Sequence, residues 1–509
     1  MIGPLTITRI STWRAFWTFL FLHIFLWTLL PFLFHPNAPL DVVEAISWGR
    51  EWQLGYYKHP PLAFWLANLA YLADGGRLWT IFLLSQLSIA AGLWAVWRIA
   101  REVLDEWRAL AACVLLEGVI YFNFTSPEFN PNVLELAIWP LIVLFAWQAL
   151  GSGIKGSENI RVSNFLSWAG LGVCAGLGLF AKYYTAVLLI SLLVFLITDR
   201  EARQVWRHSG PYVSIAIALA VFSPHAWWML HTRLATVSYA MNRAASHGTE
   251  LTRLTFPLKF IGAQLLALLP MLAAFLLLFG WWKPDSAFRS SLKARLLLAA
   301  VAGPFLLTLL LSVLFNWRLL SMWGTPLWSF LPLLLLWSSR NQRRIRLEQV
   351  AVAGALLIAL IGVAFVVPLT AGPYLSGKPR KALFGGEQMG REITQRWQQE
   401  EGTPLRVVVG DTWMAGNLAF YSPDHPSVLT DGNFSLSPWV SPDELRTRGA
   451  VVVWEGPQPP AAYSQLFSQM EIQGPVHAAW HTHAHVADTP VYWAIIPPQH
   501  LRMIPSGYK

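Results

Sequence analysis

The sequence predicts an α-helical membrane protein with many spans and a separate C-terminal α/β domain. Three observations support this fold class. Of the 509 residues, 55% are hydrophobic and only 13% are charged, a composition that is not typical of soluble globular proteins. Apolar runs of about 20 residues, the length that crosses a hydrocarbon core, recur between Phe16 and Pro368. From Thr370 onwards these runs stop and Pro, Gly, Asp and Glu become more frequent.

Residues 1–368 are expected to form a transmembrane domain with about eleven helices. The first apolar run follows two arginines and resembles a signal peptide, but it is too long and lacks a small-residue cleavage site, so it is expected to remain as the first helix. The expected spans are residues 14–34, 78–98, 109–125, 132–150, 164–180, 184–198, 211–230, 258–280, 296–315, 326–338 and 350–368.

The basic loops indicate the orientation of these spans. Loops rich in Lys and Arg fall on the side of the N-terminus, and that side is expected to be the cytoplasm. The formal net charge of +9 is therefore attributed to topology and not to nucleic-acid binding. The first loop, residues 35–77, and the C-terminal domain are expected to lie outside. The basic loops are residues 98–108, 155–161, 200–207, 283–295 and 340–346.

Residues 369–509 are predicted to form a small extracytoplasmic α/β domain. "GGEQMGREITQRWQQEEG" (385–402) is typical of a helix, and "LRVVVGD" (405–411) and "GAVVVWEG" (449–456) are typical of buried strands. Alternating helices and strands favour an α/β fold. Asp411 follows the first strand, where open α/β sheets tend to bind ligands, so an acceptor contact there stays open.

The histidine-rich stretch "HAAWHTHAH" (477–485) has two interpretations. Alternation would place His481, His483 and His485 on one face of a strand, from which they could converge on zinc. Because no cysteine or acidic residue accompanies them, an exposed polar strand face is favoured. No metal site is predicted, and the sequence requires no cofactor, although a divalent cation stays open.

The densest cluster of charge lies in "DVVEAISWGREWQLGYYKHPPLAFWL", residues 41–66. Apolar residues at helical spacing predict an amphipathic helix at the membrane interface, with Asp41 as its N-cap and Glu44 in a capping-box position. A capping role is one interpretation of these carboxylates. A catalytic role is the other, and the two roles do not exclude each other.

The segment "GYYKHPPL" (55–62) presents Lys58 and His59 at a turn beside Tyr57. Two prolines stop the helix and fix an extended backbone. A cation next to aromatic rings at the interface suits the phosphate of a lipid-linked substrate. The alternative for Lys58 is an ordinary side chain that reaches towards lipid headgroups.

This order of motifs resembles the first outer loop of the GT-C glycosyltransferases, in the bacterial branch related to protein O-mannosyltransferases and the lipid A aminoarabinose transferase. Three more segments are similar to that family. The resemblance implies an enzyme that transfers a sugar with inversion, from a polyprenyl-phosphate carrier to a glycolipid, lipopolysaccharide or other glycan acceptor. It would act at the periplasmic face of the bacterial inner membrane. The three segments are "SPEFNPNVLELAIWPL" (126–141), "GLGVCAGLGLFAKYYTAVLL" (170–189) and "SPHAWWMLHTRLATVSYAMNR" (223–243).

The resemblance also implies roles for residues of the first loop. Asp41 matches the acidic residue that acts as a base or orients the acceptor, and Glu44 is the second candidate. Lys58 matches the position whose cation meets the carrier phosphate. His59 is either a second donor to that phosphate or a side chain that packs on Tyr57, and the packing role is preferred.

The second outer loop departs from the family pattern. Many relatives carry an aspartate there, whereas this chain has Glu128, Asn130 and Asn132. Glu128 is either a second carboxylate of the site or a residue that starts a helix, and the asparagines are expected to bind sugar hydroxyls. Lys182 and the adjacent Tyr183 would face the same cavity. The alternative for Lys182 is again an interfacial lysine.

Arg243 and Arg318 are candidates for binding phosphates or an anionic acceptor, and a solvated charged face is the alternative for both. Two other classes of function were weighed. A transporter or lipid flippase built on repeats would show internal symmetry, which the sequence lacks. A non-catalytic envelope scaffold gives no reason for Lys58 beside two prolines. The expected partners are the sugar donor, the acceptor and membrane lipids, without nucleic acid.

Overall fold

The computed structural model describes residues 11–498, apart from 152–157, 246–250, 342 and 467–469. Part of the basic loop expected at 155–161 therefore lies outside the described residues. The chain is mostly helical up to residue 376. Its helices are α1 (Thr12–Phe34), α2 (Leu40–Gly49), α3 (Leu62–Leu72), α4 (Trp79–Val103), α5 (Glu106–Val114), α6 (Pro131–Gly151), α7 (Glu158–Ala181), α8 (Thr185–Thr198), α9 (Gly210–His231), α10 (Ala235–Ala244), α11 (Thr252–Phe279), α12 (Leu292–Phe315), α13 (Leu331–Trp337), α14 (Leu347–Thr370) and α15 (Gly372–Ser376).

Eight helices within the described ranges are long and apolar enough to cross a membrane. They are α1, α4, α6, α7, α9, α11, α12 and α14. Many of their large apolar side chains are exposed on the outer surface of the bundle, as expected where lipid is the solvent. The helical membrane fold is confirmed.

Three of the expected spans are shorter than a continuous transmembrane helix. The expected span 184–198 is the 14-residue helix α8, and the expected span 326–338 contains only the seven residues of α13. The expected span 109–125 breaks after α5, where two short 3₁₀ turns follow, and the side chain of Asn123 donates to the backbone carbonyl of Glu117 over 2.7 Å. The carboxylate of Glu117 accepts from Trp27 Nε1 over 3.2 Å. Hydropathy does not reveal this break, since the surrounding residues are apolar.

Helix α6 is held close to α4 by a glycine. A Cβ on Gly92 would lie 2.0 Å from the carbonyl oxygen of Leu136, so no larger residue fits without moving the backbone. The side chain of Asn130 accepts from the backbone amides of Asn132 and Val133 and thereby caps the start of α6. The outer end of α6 is therefore fixed in position.

Helix α2 differs from the sequence prediction. It begins at Leu40 after Pro39, whose carbonyl accepts from the amide of Val43 over 2.9 Å. Asp41 consequently lies inside the first turn, and the predicted N-cap and capping box are wrong. Residues 42–49 are buried, so α2 is enclosed by the protein and does not lie at a lipid interface.

The C-terminal region forms the expected α/β fold. Helix α16 is followed by a five-stranded sheet in the order β2-β1-β3-β5-β4, in which β1 pairs parallel with β2 and β3 and the other pairs are antiparallel. The elements are α16 (Gly386–Glu401), β1 (Val407–Gly410), α17 (Met414–Tyr421), β2 (Ser427–Thr430), α18 (Pro442–Arg448), β3 (Ala450–Glu455), α19 (Ala461–Leu466), β4 (Glu471–Ala478) and β5 (Thr489–Ile496).

The histidines of the segment 477–485 do not share a strand face. Strand β4 ends at Ala478, and His481, His483 and His485 follow it as exposed residues in an irregular segment. The strand interpretation is therefore wrong for these three residues. An antiparallel bridge between Phe384 and Trp480 ends the regular pairing and turns the chain towards the membrane domain.

The C-terminal sheet domain packs on residues 35–77, the loop that was expected to lie outside. Arg50 at the end of α2 donates to the carbonyl of Ala419 and contacts Nδ1 of His425, both over 3.1 Å. Its guanidinium also lies 5.2 Å from the centre of the Tyr71 ring. The hydroxyl of Tyr421 accepts from the amide of Ala38 over 2.8 Å. The outer loop is thus held between the helical bundle and the C-terminal domain.

Replacing Arg50 with Met is expected to loosen this contact. The substitution keeps the aliphatic stem but removes hydrogen bonds from a charged donor, so we expect a loss of about 1–3 kcal/mol in the free energy of unfolding. Thermal unfolding of the purified protein measures it. The matched control is Arg391→Met on α16, where the pair with Glu387 is exposed and a change below about 1 kcal/mol is expected. Equal shifts in both variants would contradict this account.

Candidate active site

The predicted turn around Lys58 is present. Tyr56 and His59 exchange two backbone hydrogen bonds of 3.0 and 3.3 Å, which place Tyr57 and Lys58 at the tip. Nζ of Lys58 lies 2.5 Å from Oε2 of Glu44. The same nitrogen is 5.2 and 5.5 Å from the ring centres of Trp48 and Tyr57. The lysine is therefore held between a carboxylate and two aromatic rings.

Burial and charge act in opposite directions on this pair. Burial raises the pKa of Glu44 to about 7, although the nearby Lys58 opposes the shift. Burial disfavours the charged form of Lys58, but the attraction of the Glu44 carboxylate outweighs the effect of burial and raises the pKa of the lysine. Lys58 stays a cation at neutral pH, while Glu44 can take up a proton near pH 7.

Two further carboxyl groups lie side by side at the start of α2. Oδ2 of Asp41 accepts from Nδ2 of Asn130 over 2.7 Å, and the Asp41 amide donates to Glu128 over 3.4 Å. Burial raises the pKa of Asp41, and the hydrogen bond from Asn130 opposes this shift. Burial and the neighbouring Asp41 raise the pKa of Glu128 to about 7. Glu128 precedes α6 and does not belong to the helix.

From Asp41 a continuous set of polar contacts leads into the bundle. Oδ1 of Asn130 accepts from Nδ2 of Asn132 over 3.0 Å, and Oδ1 of Asn132 accepts from Nζ of Lys182. Lys182 lies in the α7–α8 turn, 3.4 Å from Oε2 of Glu135 on α6. We call Asp41, Asn130, Asn132, Lys182 and Glu135 the polar chain. The two predicted asparagines and the predicted lysine are thus brought together with Asp41.

His59 and Tyr183 have other contacts. The ring of His59 stacks on Phe64 at 6.0 Å, so its packing partner is not Tyr57. Burial lowers the pKa of His59 to about 3, and the ring is neutral. The hydroxyl of Tyr183 bonds to Nε2 of His225 over 2.6 Å, which ties the α7–α8 turn to α9. Tyr183 therefore does not join the polar chain.

Arg243 and Arg318 lie near each other on an exposed part of the protein. The amide of Arg318 donates to the carbonyl of Ala244 over 2.9 Å, and both arginine side chains are exposed. On α10, Tyr239 precedes Arg243 by one turn and contacts the ring of Tyr57 at 5.6 Å. Arg243 therefore shares a helical face with a residue that contacts the loop tip.

Three residues that the sequence analysis did not identify act on this region. Glu135 is fully buried and pairs with Lys182, and a carboxylate inside an apolar run is a signal that could have found it. Burial raises the pKa of Glu128 and that of Asp431, and the charges of Lys381 and Lys58, respectively, oppose these shifts. These two contacts join residues far apart in the chain, so no local pattern indicates them.

No group of three or more His, Cys, Asp or Glu side chains in the described part of the chain is arranged to hold a metal ion. Asp41 and Glu128 offer neighbouring carboxyl groups, since the Asp41 amide donates to the Glu128 carboxylate over 3.4 Å, and Lys381 acts electrostatically on Glu128.

Known proteins resemble this chain over most of its length. The family model described as dolichyl-phosphate-mannose-protein mannosyltransferase matches residues 58–228. The lipopolysaccharide core galacturonosyltransferase RgtB of Rhizobium johnstonii is 23% identical over 432 residues, which are 82% of each chain. The crystal structure of ArnT from Cupriavidus metallidurans bound to undecaprenyl phosphate superposes with a TM-score of 0.66 at 14% identity, over 95% of this chain and 98% of that one.

In sequence and in fold the chain resembles the GT-C superfamily of glycosyltransferases. A further relative is the undecaprenyl phosphate-alpha-4-amino-4-deoxy-L-arabinose arabinosyl transferase of Pseudomonas paraeruginosa, 25% identical over 241 residues, which are 44% of this chain and 42% of that one. The expected enzyme class is confirmed, and the protein is a multi-pass inner-membrane protein.

Removing the counter-ion of Lys182 is expected to destabilise the GT-C bundle. In the Glu135→Leu variant the lysine keeps its charge but loses its buried carboxylate, so we expect a loss of about 3–5 kcal/mol. Thermal unfolding measures it, and the double variant Glu135→Leu/Lys182→Met should recover much of the loss. The matched control is Glu201→Leu, whose pair with Arg295 is more exposed and should contribute less than about 1 kcal/mol. A small effect of Glu135→Leu would contradict the assigned pairing.

Proposed function

We propose that this protein transfers a sugar from a polyprenyl-phosphate carrier to a phosphorylated glycolipid, with inversion at the anomeric carbon. The observation that carries the proposal is a partly buried carboxylate, Asp41, within the same loop as a lysine cation flanked by aromatic rings, Lys58. The relatives named above act on undecaprenyl-phosphate-linked aminoarabinose or on lipopolysaccharide core, and they support this choice of substrates.

In the proposed reaction, a hydroxyl or amine of the acceptor attacks the anomeric carbon of the donor. The new bond forms as the bond between that carbon and the phosphate oxygen breaks, and the phosphate leaves with the electron pair. Asp41 takes the proton of the attacking group, which a carboxylate within hydrogen-bond reach can do.

Lys58 would bind the leaving phosphate. The polar chain would hold that phosphate near its own cation, Lys182. Lys58 is paired with Glu44 in the structure, so the phosphate has to compete with that carboxylate. Because the pKa of Glu44 is about 7, Glu44 can be protonated when the phosphate arrives, and the lysine then turns to the substrate without a large electrostatic penalty. The rings of Trp48 and Tyr57 offer stacking surfaces for the sugar.

We place this site on the periplasmic side. The basic loops between the spans put the N-terminus in the cytoplasm, and α1 then carries the first outer loop across the membrane. In this arrangement residues 1–368 form the catalytic membrane domain, and residues 369–509 form a periplasmic domain that covers the site. Arg243 and Arg318 would lie at its edge, where they can attract an anionic substrate.

The Asp41→Asn variant is expected to fold and to lose about 10²–10⁴ of its transfer rate, the range typical of a removed general base. The assay incubates membranes with polyprenyl-phosphate sugars and lipid A, and mass spectrometry follows the product. The matched control is Asp74→Asn, in the α3–α4 connection, where the carboxylate accepts from Trp79 Nε1 and transfer should be unchanged. Full activity of Asp41→Asn would exclude Asp41 as the base.

The acidic limb of the pH–rate profile tests the same assignment. Asp41 has to be ionised to act as a base, so kcat/KM falls as the pH drops through its pKa, which burial raises. Asn130→Ala removes a hydrogen bond that stabilises the ionised form, and the limb should move to higher pH. An unmoved limb would assign the titration to Glu128 or Glu44 instead.

A further inference from the structure

A groove of about 370 Å³ opens between the outer ends of α1 and α14, and its lining includes no residue of the polar chain. Its apolar wall consists of Leu33 and Phe34 from α1, Leu369 from α14, and Leu383 from the segment that leads to α16. Both helices are candidate membrane spans, so the groove lies where a span ends and the outer domain begins. That is the depth at which lipid acyl chains meet their headgroups.

The rim of the groove towards the outer domain is polar. It carries Thr370 and Tyr374 at the end of the membrane helix, and His481, Thr482 and His483 from the histidine segment. These side chains offer hydroxyl and imidazole groups that can donate hydrogen bonds. An apolar wall below a row of donors matches a lipid whose headgroup carries an anion.

Charge around the rim favours an anionic headgroup. The segment 374–383 carries Lys378, Arg380 and Lys381, all exposed, and contains no acidic residue. The histidine segment 477–485 contains none either. Basic clusters at the membrane surface attract phosphate groups of lipids.

The groove is held in place by backbone hydrogen bonds. The amide of His481 donates to the carbonyl of Leu383 over 2.7 Å, and the amide of Asn37 donates to the carbonyl of Ala382 over 3.0 Å. These bonds join the histidine segment and the end of the first span to one short loop, residues 381–384. The rim is therefore part of the fold.

The same loop connects the groove to the active site. Leu383 lines the groove, whereas Lys381, two residues earlier, acts electrostatically on Glu128 beside Asp41. Lys182, in contrast, is connected to Asp41 by hydrogen bonds through Asn132 and Asn130, which lie at the start of α6. Lys381 thus links the segment that lines the groove to Glu128 electrostatically, whereas the donor phosphate would bind at Lys58.

We propose that the groove between α1 and α14 binds the acceptor, with an acyl chain against Leu33, Leu369 and Leu383 and a lipid phosphate at His481 and His483. This inference rests on the proposed function and names the acceptor as a phosphorylated glycolipid. A free glycan or a protein acceptor would leave the apolar wall without a role. In this proposal the histidine segment, for which zinc binding was one interpretation of the sequence, recognises a lipid phosphate.

The test uses the full-length protein and two variants. His481→Ala/His483→Ala removes donors from the rim, and Leu369→Trp fills the apolar part. Controls are His485→Ala, in the same segment but outside the lining, and Leu375→Trp, an exposed position on α15 that is not part of the lining. Native mass spectrometry measures the binding of lipid A, of dephosphorylated lipid A and of phosphatidylglycerol. Steady-state assays measure KM for lipid A and for the sugar donor separately.

We expect both groove variants to weaken lipid A binding and to raise its KM about tenfold, equal to about 1.4 kcal/mol, with KM for the donor unchanged. Wild type and the histidine variant should bind dephosphorylated lipid A with equal affinity. Equal binding of phosphatidylglycerol and lipid A, or groove variants that match the controls, would overturn the proposal.

The two proposals fail in different ways. If wild-type protein binds lipid A through the groove but forms no product with any donor, the proposed transfer is wrong and the groove assignment stands. If product forms and its KM for lipid A is unaffected by the groove variants, the transfer stands and the acceptor binds elsewhere.

Discussion

The need to give every buried charge a partner determines how the outer half of this protein is built. An isolated ion in an apolar interior is strongly disfavoured. In the polar chain from Asp41 to Glu135, each charged side chain has a hydrogen-bond or ion-pair partner. Each member contacts the next, and the members come from α2, the start of α6 and the α7–α8 turn. These three elements are thereby brought to one point, and the acidic residue of the first loop is buried without losing its hydrogen-bond partner.

The C-terminal domain completes the enclosure. Trp439 contacts the rings of Trp48 and Tyr56 and donates to the carbonyl of Val428 in β2. These aromatic contacts pack the C-terminal domain beside the turn that carries Lys58, and electrostatic interactions are stronger where less water has access. The raised pKa values of Glu44 and Glu128 follow from the same enclosure. A membrane domain without this cover would expose the carboxylates to water.

Local sequence patterns predicted the parts of the site that depend on local chemistry. Two prolines after Lys58 were sufficient to predict the turn, because proline restricts its own backbone and that of the preceding residue. The N-cap at Asp41 was wrong because Pro39 already starts the helix. The contacts of Lys381 and Asp431 depend on how the C-terminal domain packs on the loop, and no local pattern contains that information. The break after α5 lies within an apolar run, and hydropathy does not weigh the buried polar contact between Asn123 and Glu117 that follows it.

The structure also bears on which carboxyl group carries the negative charge. Asp41 receives a hydrogen bond from Asn130 and is influenced by the cations of Lys58 and Lys182, all of which favour its ionised form. Glu128 has a pKa of about 7, in part because Asp41 is already charged. Two adjacent carboxyl groups with one shared environment do not both ionise easily. Burial raises the pKa of both groups, but the hydrogen bond from Asn130 and the two lysines favour the negative charge on Asp41, and the neighbouring Asp41 favours a proton on Glu128.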